Sequence, residues 1–194
     1  MAYDRHDLEI VDHYAQFIHS KSRTFKIVDL PEPAPHPVAV LEFAPPSAEY
    51  DWVYTTVGMS RKAMPQSPAQ QRSELIFYSR QSNEKIVDFL TKLMAYPFVV
   101  GTFFAPGHTV VGSAGTGIVD GSPLTDVLLT VPYFEPPDFE VVRHNDGSHT
   151  HILWAIPLYM AERLYVREHG YMELLARFSE NSTEASDLWR PPVV

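Results

Sequence analysis

The chain contains no cysteine. Structural disulfides, iron–sulfur clusters, thiolate zinc sites and cysteine nucleophiles are therefore excluded. It also lacks any run approaching the roughly 20 apolar residues that a membrane-spanning helix requires. The first residues, Met1-Ala2-Tyr3-Asp4-Arg5-His6-Asp7, offer neither a basic n-region nor an apolar h-region, so no signal peptide is expected. Basic residues are scarce: 15 Lys and Arg stand against 24 Asp and Glu, a formal charge of −9. That balance disfavours nucleic acid and anionic membrane as partners. It aids solubility and suits a basic partner. These absences together predict a cytoplasmic, soluble protein.

What is present points to one domain. The chain has 194 residues, 45% of them hydrophobic. A chain of that size buries roughly two thirds of its unfolded surface and needs no metal to fold. Proline is abundant, 17 in all, and falls between periodic runs, where it ends elements. Pro31, Pro33, Pro35 and Pro37 predict a short extended, polyproline-like linker.

Helical spacing places Ile10, Val11, Tyr14, Phe17 and Ile18 on one face of residues 7–20. Residues 82–95 repeat the pattern with Ile86, Phe89, Leu90, Leu93 and Met94, with Ser82 as N-cap and Pro97 as stop. Further helices are expected over 158–169, closed by Gly170, and over 172–179. Runs rich in β-branched and aromatic residues predict strands at 38–43, 52–58, 74–79, 98–104, 124–134, 139–144 and 150–156. Helices and strands do not alternate strictly. The expected class is α+β: a mixed, mainly antiparallel sheet covered by helices, in a single domain. Residues 1–30 hold the N-terminal helix and the start of the linker, 38–180 the body, and 181–194 a tail.

Asp146-Gly147 is a strong hairpin turn signal. A two-residue turn there sets His144 opposite His149 and Val142 opposite His151. Phe139, Val141, Thr150, Ile152, Trp154 and Ile156 then share the core face, since side chains alternate. The other face gathers His144, His149 and His151. Three imidazoles so placed are able to hold zinc or another divalent metal, which gives one candidate chemistry, a metal-dependent enzyme. The plainer reading is a solvated strand end beside a turn. There is no HExxH motif.

Other chemistry is weaker. Gly107, Gly112, Gly115, Gly117 and Gly121 form a glycine-rich run without a P-loop ending or GxGxxG spacing, so it reads as a surface loop. No G-x-S-x-G elbow occurs, and His108 with Ser113 or Asp120 makes a triad only on paper. Glu42 and Glu74 sit in strand runs and are expected on solvent faces. Trp52 and Trp154 read as core. Trp189, in the polar tail, either pins that tail to the body or anchors a partner. No catalytic residue and no cofactor is expected.

Three segments together resemble the suppressor of fused family. The first is Thr55-Thr56-Val57-Gly58-Met59-Ser60, followed by Glu74-Leu75-Ile76-Phe77-Tyr78. The second is Gly107-His108-Thr109 after Phe103-Phe104-Ala105-Pro106. The third is Ile156-Pro157-Leu158, then Glu162, Gly170 and Leu174-Leu175. The resemblance spans residues 38–178. The long glycine-rich run and the three-histidine hairpin depart from the pattern. Eukaryotic members carry a second, C-terminal domain; this chain resembles the short bacterial form.

The resemblance implies a non-enzymatic protein-binding module, an immunity or regulatory protein that sequesters a partner, for example a basic toxin. Gly58, Met59, Gly107, His108, Thr109, Pro157, Glu162 and Gly170 are then family-motif positions with structural roles. Gly107 permits a tight turn, His108 and Thr109 bond backbone groups near it, and Glu162 favours a helix N-terminus. Either a monomer or a homodimer fits the sequence.

Overall fold

The computed structural model of the chain describes residues 4–35, 37–112 and 116–194. Ser113 and Gly115 of the glycine-rich run, and the first three residues, lie outside the described residues. The elements in chain order are α1 (Arg5–Phe17), β1 (Ser22–Val28), β2 (Val38–Phe43), β3 (Trp52–Val57), β4 (Ser73–Ser79), α2 (Glu84–Val100), β5 (Thr109–Val110), β6 (Asp126–Thr130), β7 (Val141–Arg143), β8 (His149–Leu158), α3 (Met160–His169) and α4 (Tyr171–Glu180). Single 3-10 turns add Met59–Arg61, Pro68–Gln70 and Pro137–Phe139.

The strands form one sheet in the order β1-β2-β3-β4-β8-β6-β5. The β7 strand pairs with the first residues of β8, and β6 with the last. Every pair is antiparallel except β4 with β8, where Ser73 lies beside His151 and Ile76 beside Trp154. The class is therefore α+β, with a mixed, mainly antiparallel sheet and helices on both faces.

Period-two alternation divides the side chains between two cores. Val38, Val40, Leu153 and Ala155 join Ile86, Leu90 and Met94 of α2. Ala39, Leu41, Ile152, Trp154 and Ile156 join Ile10 and Tyr14 of α1, Val166 of α3, and Leu174 and Phe178 of α4. Fully burying one such leucine or phenylalanine stabilises by about 1.5–3 kcal/mol, so each helix is held chiefly by its apolar stripe.

Several expectations need correction. The 98–104 strand does not form. The α2 helix runs through Pro97 to Val100 and ends where Gly101 turns left-handed, with φ 76° and its N–H on the Pro97 carbonyl. Phe98 continues the buried stripe of Leu90 and Met94, so tertiary burial outweighs the bond that proline cannot donate. Asn83, not Ser82, caps the helix by accepting from the Lys85 N–H. Ahead of the expected proline linker the chain forms β1, an edge strand not expected from the sequence, whose alternation Phe25-Lys26-Ile27 is only three residues long. Pro31 does not begin an extended segment: its carbonyl accepts from Ala34 N–H at 3.0 Å, closing a turn. The glycine-rich run contributes the short edge strand β5.

The hairpin forms, in a different register. Val141 faces His151, Val142 faces Thr150 and Arg143 faces His149. The loop has three residues, not two: His144 N–H donates to Ser148 O, and Gly147, at φ 84°, donates to His144 O. A one-residue slip moves the whole strand to the opposite face. Val142 and His144 thus turn inward, and Val141 and Arg143 outward.

Candidate protein-binding surface

The register shift separates the three histidines. His144 is buried; its Nδ1 donates to Glu9 of α1 at 2.8 Å and its Nε2 lies 2.8 Å from Thr150 Oγ1. His149 is exposed opposite Arg143. The alternative three-imidazole site therefore does not assemble, and no cluster of three or more His, Cys, Asp or Glu side chains suited to a metal exists among the described residues.

What His144 does instead is dock α1. The His6 ring stacks on it at 3.9 Å. His6 Nε2 lies 3.0 Å from Ser60 Oγ, and that hydroxyl donates to Glu74, so the imidazole N–H is the donor. His13 Nε2 donates to the Phe139 carbonyl at 2.9 Å. Burial, with His144 and Arg72 next in weight, holds His6 below its ordinary 6.5, and burial does the same to His13.

The positions expected to carry the family motif make contacts within the fold. Gly58, at φ 103°, ends β3 and points its N–H at Glu74, and Met59 behind it is fully buried. The Glu74 carboxylate collects four donors at 2.6–2.9 Å: Thr56 Oγ1, Gly58 N, Ser60 N and Ser60 Oγ. Burial pushes its carboxyl up against the pull of those donors. Glu42 is buried as well, bound by Arg23, Tyr54 Oη and Ser82 Oγ. Burial opposes ionisation of Glu42, but these three partners outweigh it and hold the carboxyl low. Both carboxylates were expected on solvent faces. They lie on strands covered by helices on both sides, so there is no solvent face for them to occupy.

Gly107 brackets β6: its N–H donates to Leu129 O, and His108 O accepts from Leu129 N. It has φ 88°, and a Cβ there would lie 2.7 Å from the Tyr171 ring. His108 Nδ1 faces the Phe103 carbonyl at 3.2 Å, while Thr109 opens β5. Gly170, at φ 88°, separates α3 from α4. Glu162 is fully buried in the first turn of α3 and takes a bidentate bond from Arg190 at 2.6 Å on each arm, plus the Val193 and Tyr159 N–H groups. Arg190 also reaches the Pro157 carbonyl. Arg190 and Leu188 therefore seat the C-terminal residues; Trp189 between them is 46% exposed.

The buried ionisable groups are thus committed to holding the fold, while an open surface lies elsewhere. A groove of about 700 Å³ opens over Trp154, between the end of α1, the β2–β3 loop and residues 183–186. Trp154, Tyr78, Val53 and Phe43 floor it, and Phe134 stands at its edge 74% exposed. Phe134 packs on Tyr133 at 4.5 Å, and both rings rest on Trp154. Beyond Phe134 lies a second depression of about 440 Å³, walled by Tyr133, Met172, Leu175 and Phe178. Glu49, Asp51, Glu135 and Glu184 edge the first groove, with Arg80 as its one arginine or lysine among the described residues. Arg80 is paired with Glu184 and, at 3.7 Å, with Asp51. Glu135 accepts from Tyr78 Oη at 2.6 Å; burial, then this carboxylate, pushes the phenol up. Sequence reading missed this surface because its lining comes from six separated segments, and single exposed aromatics carry no periodic signal.

Comparison with known proteins places this geometry. The family model described as Suppressor of fused protein (SUFU) matches residues 34–191, and the chain belongs to that family. A protein of Neisseria gonorrhoeae, described as a SUFU homolog, shares the fold with TM-score 0.76 at 20% identity, over 97% of each chain. The Sufu–Fu complex crystal structure matches with TM-score 0.72 at 12% identity, over 97% of this chain and 92% of that one. Drosophila Suppressor of Fused matches with TM-score 0.71 at 13% identity, over 99% of this chain and 54% of its own length. No curated protein matches by sequence. No described helix is long and apolar enough to cross a membrane.

Proposed function

We propose that the chain is a non-enzymatic protein-binding module that sequesters a protein partner, in the manner of an immunity or regulatory protein of the short bacterial form, acting in the cytoplasm. A basic toxin is the partner class best suited to its charge of −9, because opposite charge accelerates encounter. The observation that carries this reading is the shelf of Tyr133 and Phe134 between two apolar depressions. An aromatic ring 74% exposed and packed on other rings marks an interface anchor more than a fold requirement. The buried carboxylates give the reading further support, since Glu74 and Glu162 spend their acceptors on the protein itself. A related protein forms a Sufu–Fu complex.

The test is co-expression with the product of the adjacent gene, followed by size-exclusion chromatography with light scattering. A stoichiometric complex is expected. A chain that stays alone while taking up one equivalent of zinc, nickel or manganese through His149 and His151 would sink the proposal.

A further inference from the structure

The groove over Trp154 joins two features that rarely coincide on a solvated surface. Its floor is apolar and aromatic, and its rim carries four carboxylates against one guanidinium that is already paired. An apolar occupant alone would leave Glu49 and its neighbours facing a low-dielectric contact without compensation, which is costly. A basic occupant alone would leave the rings of Phe134, Tyr78 and Trp154 unused. Resting on the protein-binding reading above, we propose that this groove receives a partner segment with one aromatic or large aliphatic anchor flanked by lysine or arginine.

The dimensions favour a chain segment. The first depression is large enough for an indole or a branched aliphatic side chain with its neighbours. Phe134, Thr183 and Ala185 line both depressions, so the surface continues past the ridge and accommodates a chain that enters on one side and leaves on the other. The aromatic walls supply affinity through buried area, and the carboxylates supply selection against acidic segments. Charge complementarity assigns the sign of the partner, because Arg80 is held by Glu184 and Asp51 and the rim keeps its negative excess.

The probe is a fluorescein-labelled pentapeptide with a central tryptophan and two lysines on either side, titrated by fluorescence anisotropy against the full chain. Two further peptides replace the tryptophan by glycine or the lysines by glutamates. The lysine–tryptophan peptide is expected to bind about tenfold or more tightly than either, and to weaken several-fold as salt rises through the screening range. Phe134→Ala is expected to weaken it about tenfold, and Glu49→Gln several-fold. Both positions lie at the surface, so unchanged melting temperatures verify the fold. Hydrogen exchange should slow at residues 43–53 and 183–186 on binding. The inference is overturned if the lysine–tryptophan peptide fails to bind at millimolar concentration, if the glutamate peptide binds equally, or if exchange slows on another face. A stoichiometric protein partner whose binding ignores Phe134→Ala and Glu49→Gln would reject this groove while leaving the protein-binding reading standing.

Discussion

The two ends of the chain close the same molecule by opposite physics. At the N-terminus, several polar contacts, most of them half-buried and titratable, add to the apolar stripe of α1: His6 on His144, His13 on the Phe139 carbonyl, Glu9 on His144 and Asn145, beside the Asp7–Arg61 pair. At the C-terminus, one buried ion pair, Arg190 with Glu162, fixes the last residues with both charges out of water. A buried pair gains little over an apolar substitute, yet removing one partner strands the other. A set of several separate contacts degrades in steps. The N-terminal attachment should therefore respond to pH in a graded way, and the C-terminal one to mutation in an abrupt way.

Four measurements sharpen or break that contrast. The largest effect is expected from Arg190→Ala, which leaves the Glu162 carboxylate buried without its partner: about 3–5 kcal/mol lost in chemical denaturation. Combining Arg190→Met with Glu162→Leu should recover most of that loss; a double variant as unstable as the single one would mean the pair's cost lies elsewhere. Next comes Asp7→Ala. Asp7 is fully buried, pairs with Arg61 and closes the capping box of α1 with Asp4. Its removal should cost about 1–3 kcal/mol, less than Arg190→Ala because Arg61 keeps some access to water. Tyr14→Phe removes a buried hydroxyl that donates to the Thr56 carbonyl at 3.0 Å and should cost about 1 kcal/mol.

The smallest effect is the pH response. His6 faces His144, Arg72, Asp4 and Asp7, and His13 faces His144 and the Phe139 carbonyl. Both have folded values depressed below the ordinary 6.5. A depressed value means that the unfolded chain binds the proton more tightly. Their contribution is then complete above pH 6.5 and is lost as pH falls through the lower folded values. Amide exchange in α1 should quicken, relative to residues 185–190, between neutral pH and pH 5, and His6→Gln with His13→Gln should flatten that response. Equal quickening at both ends would remove the contrast.

Where the sequence was legible, the cause was periodicity. The helical stripes of α1 and α2 and the alternation along β8 survive in the structure because each is local and redundant. The hairpin turn at Asp146-Gly147 was legible, but its loop length was not. Asn145 entering the loop shifts the register by one, and one residue was enough to move His144 from a supposed metal site to the anchor of α1. The β1 strand was not legible because its alternation, Phe25-Lys26-Ile27, is only three residues long. Glu42 and Glu74 misled because alternation assigns faces, not whether a face is wet; the cluster of donors at Thr56, Gly58 and Ser60 was the available signal. The groove could not be read at all, since Phe43, Tyr78, Phe134 and Trp154 meet only through long-range pairing.

The lone parallel pair in the sheet has a consequence for biosynthesis. The strands β1 to β4 form a meander with antiparallel neighbours close in sequence, so a nascent chain is able to assemble it as soon as residue 79 clears the ribosome. The partner of β4 is β8, and Ser73 waits for His151. Throughout that interval Leu75, Ile76 and Phe77 form an open, apolar edge of the kind that recruits foreign strands. Chaperone dependence and aggregation during expression should therefore centre on the segment around Phe77, and a stalled chain truncated before residue 149 should be the form that chaperones hold.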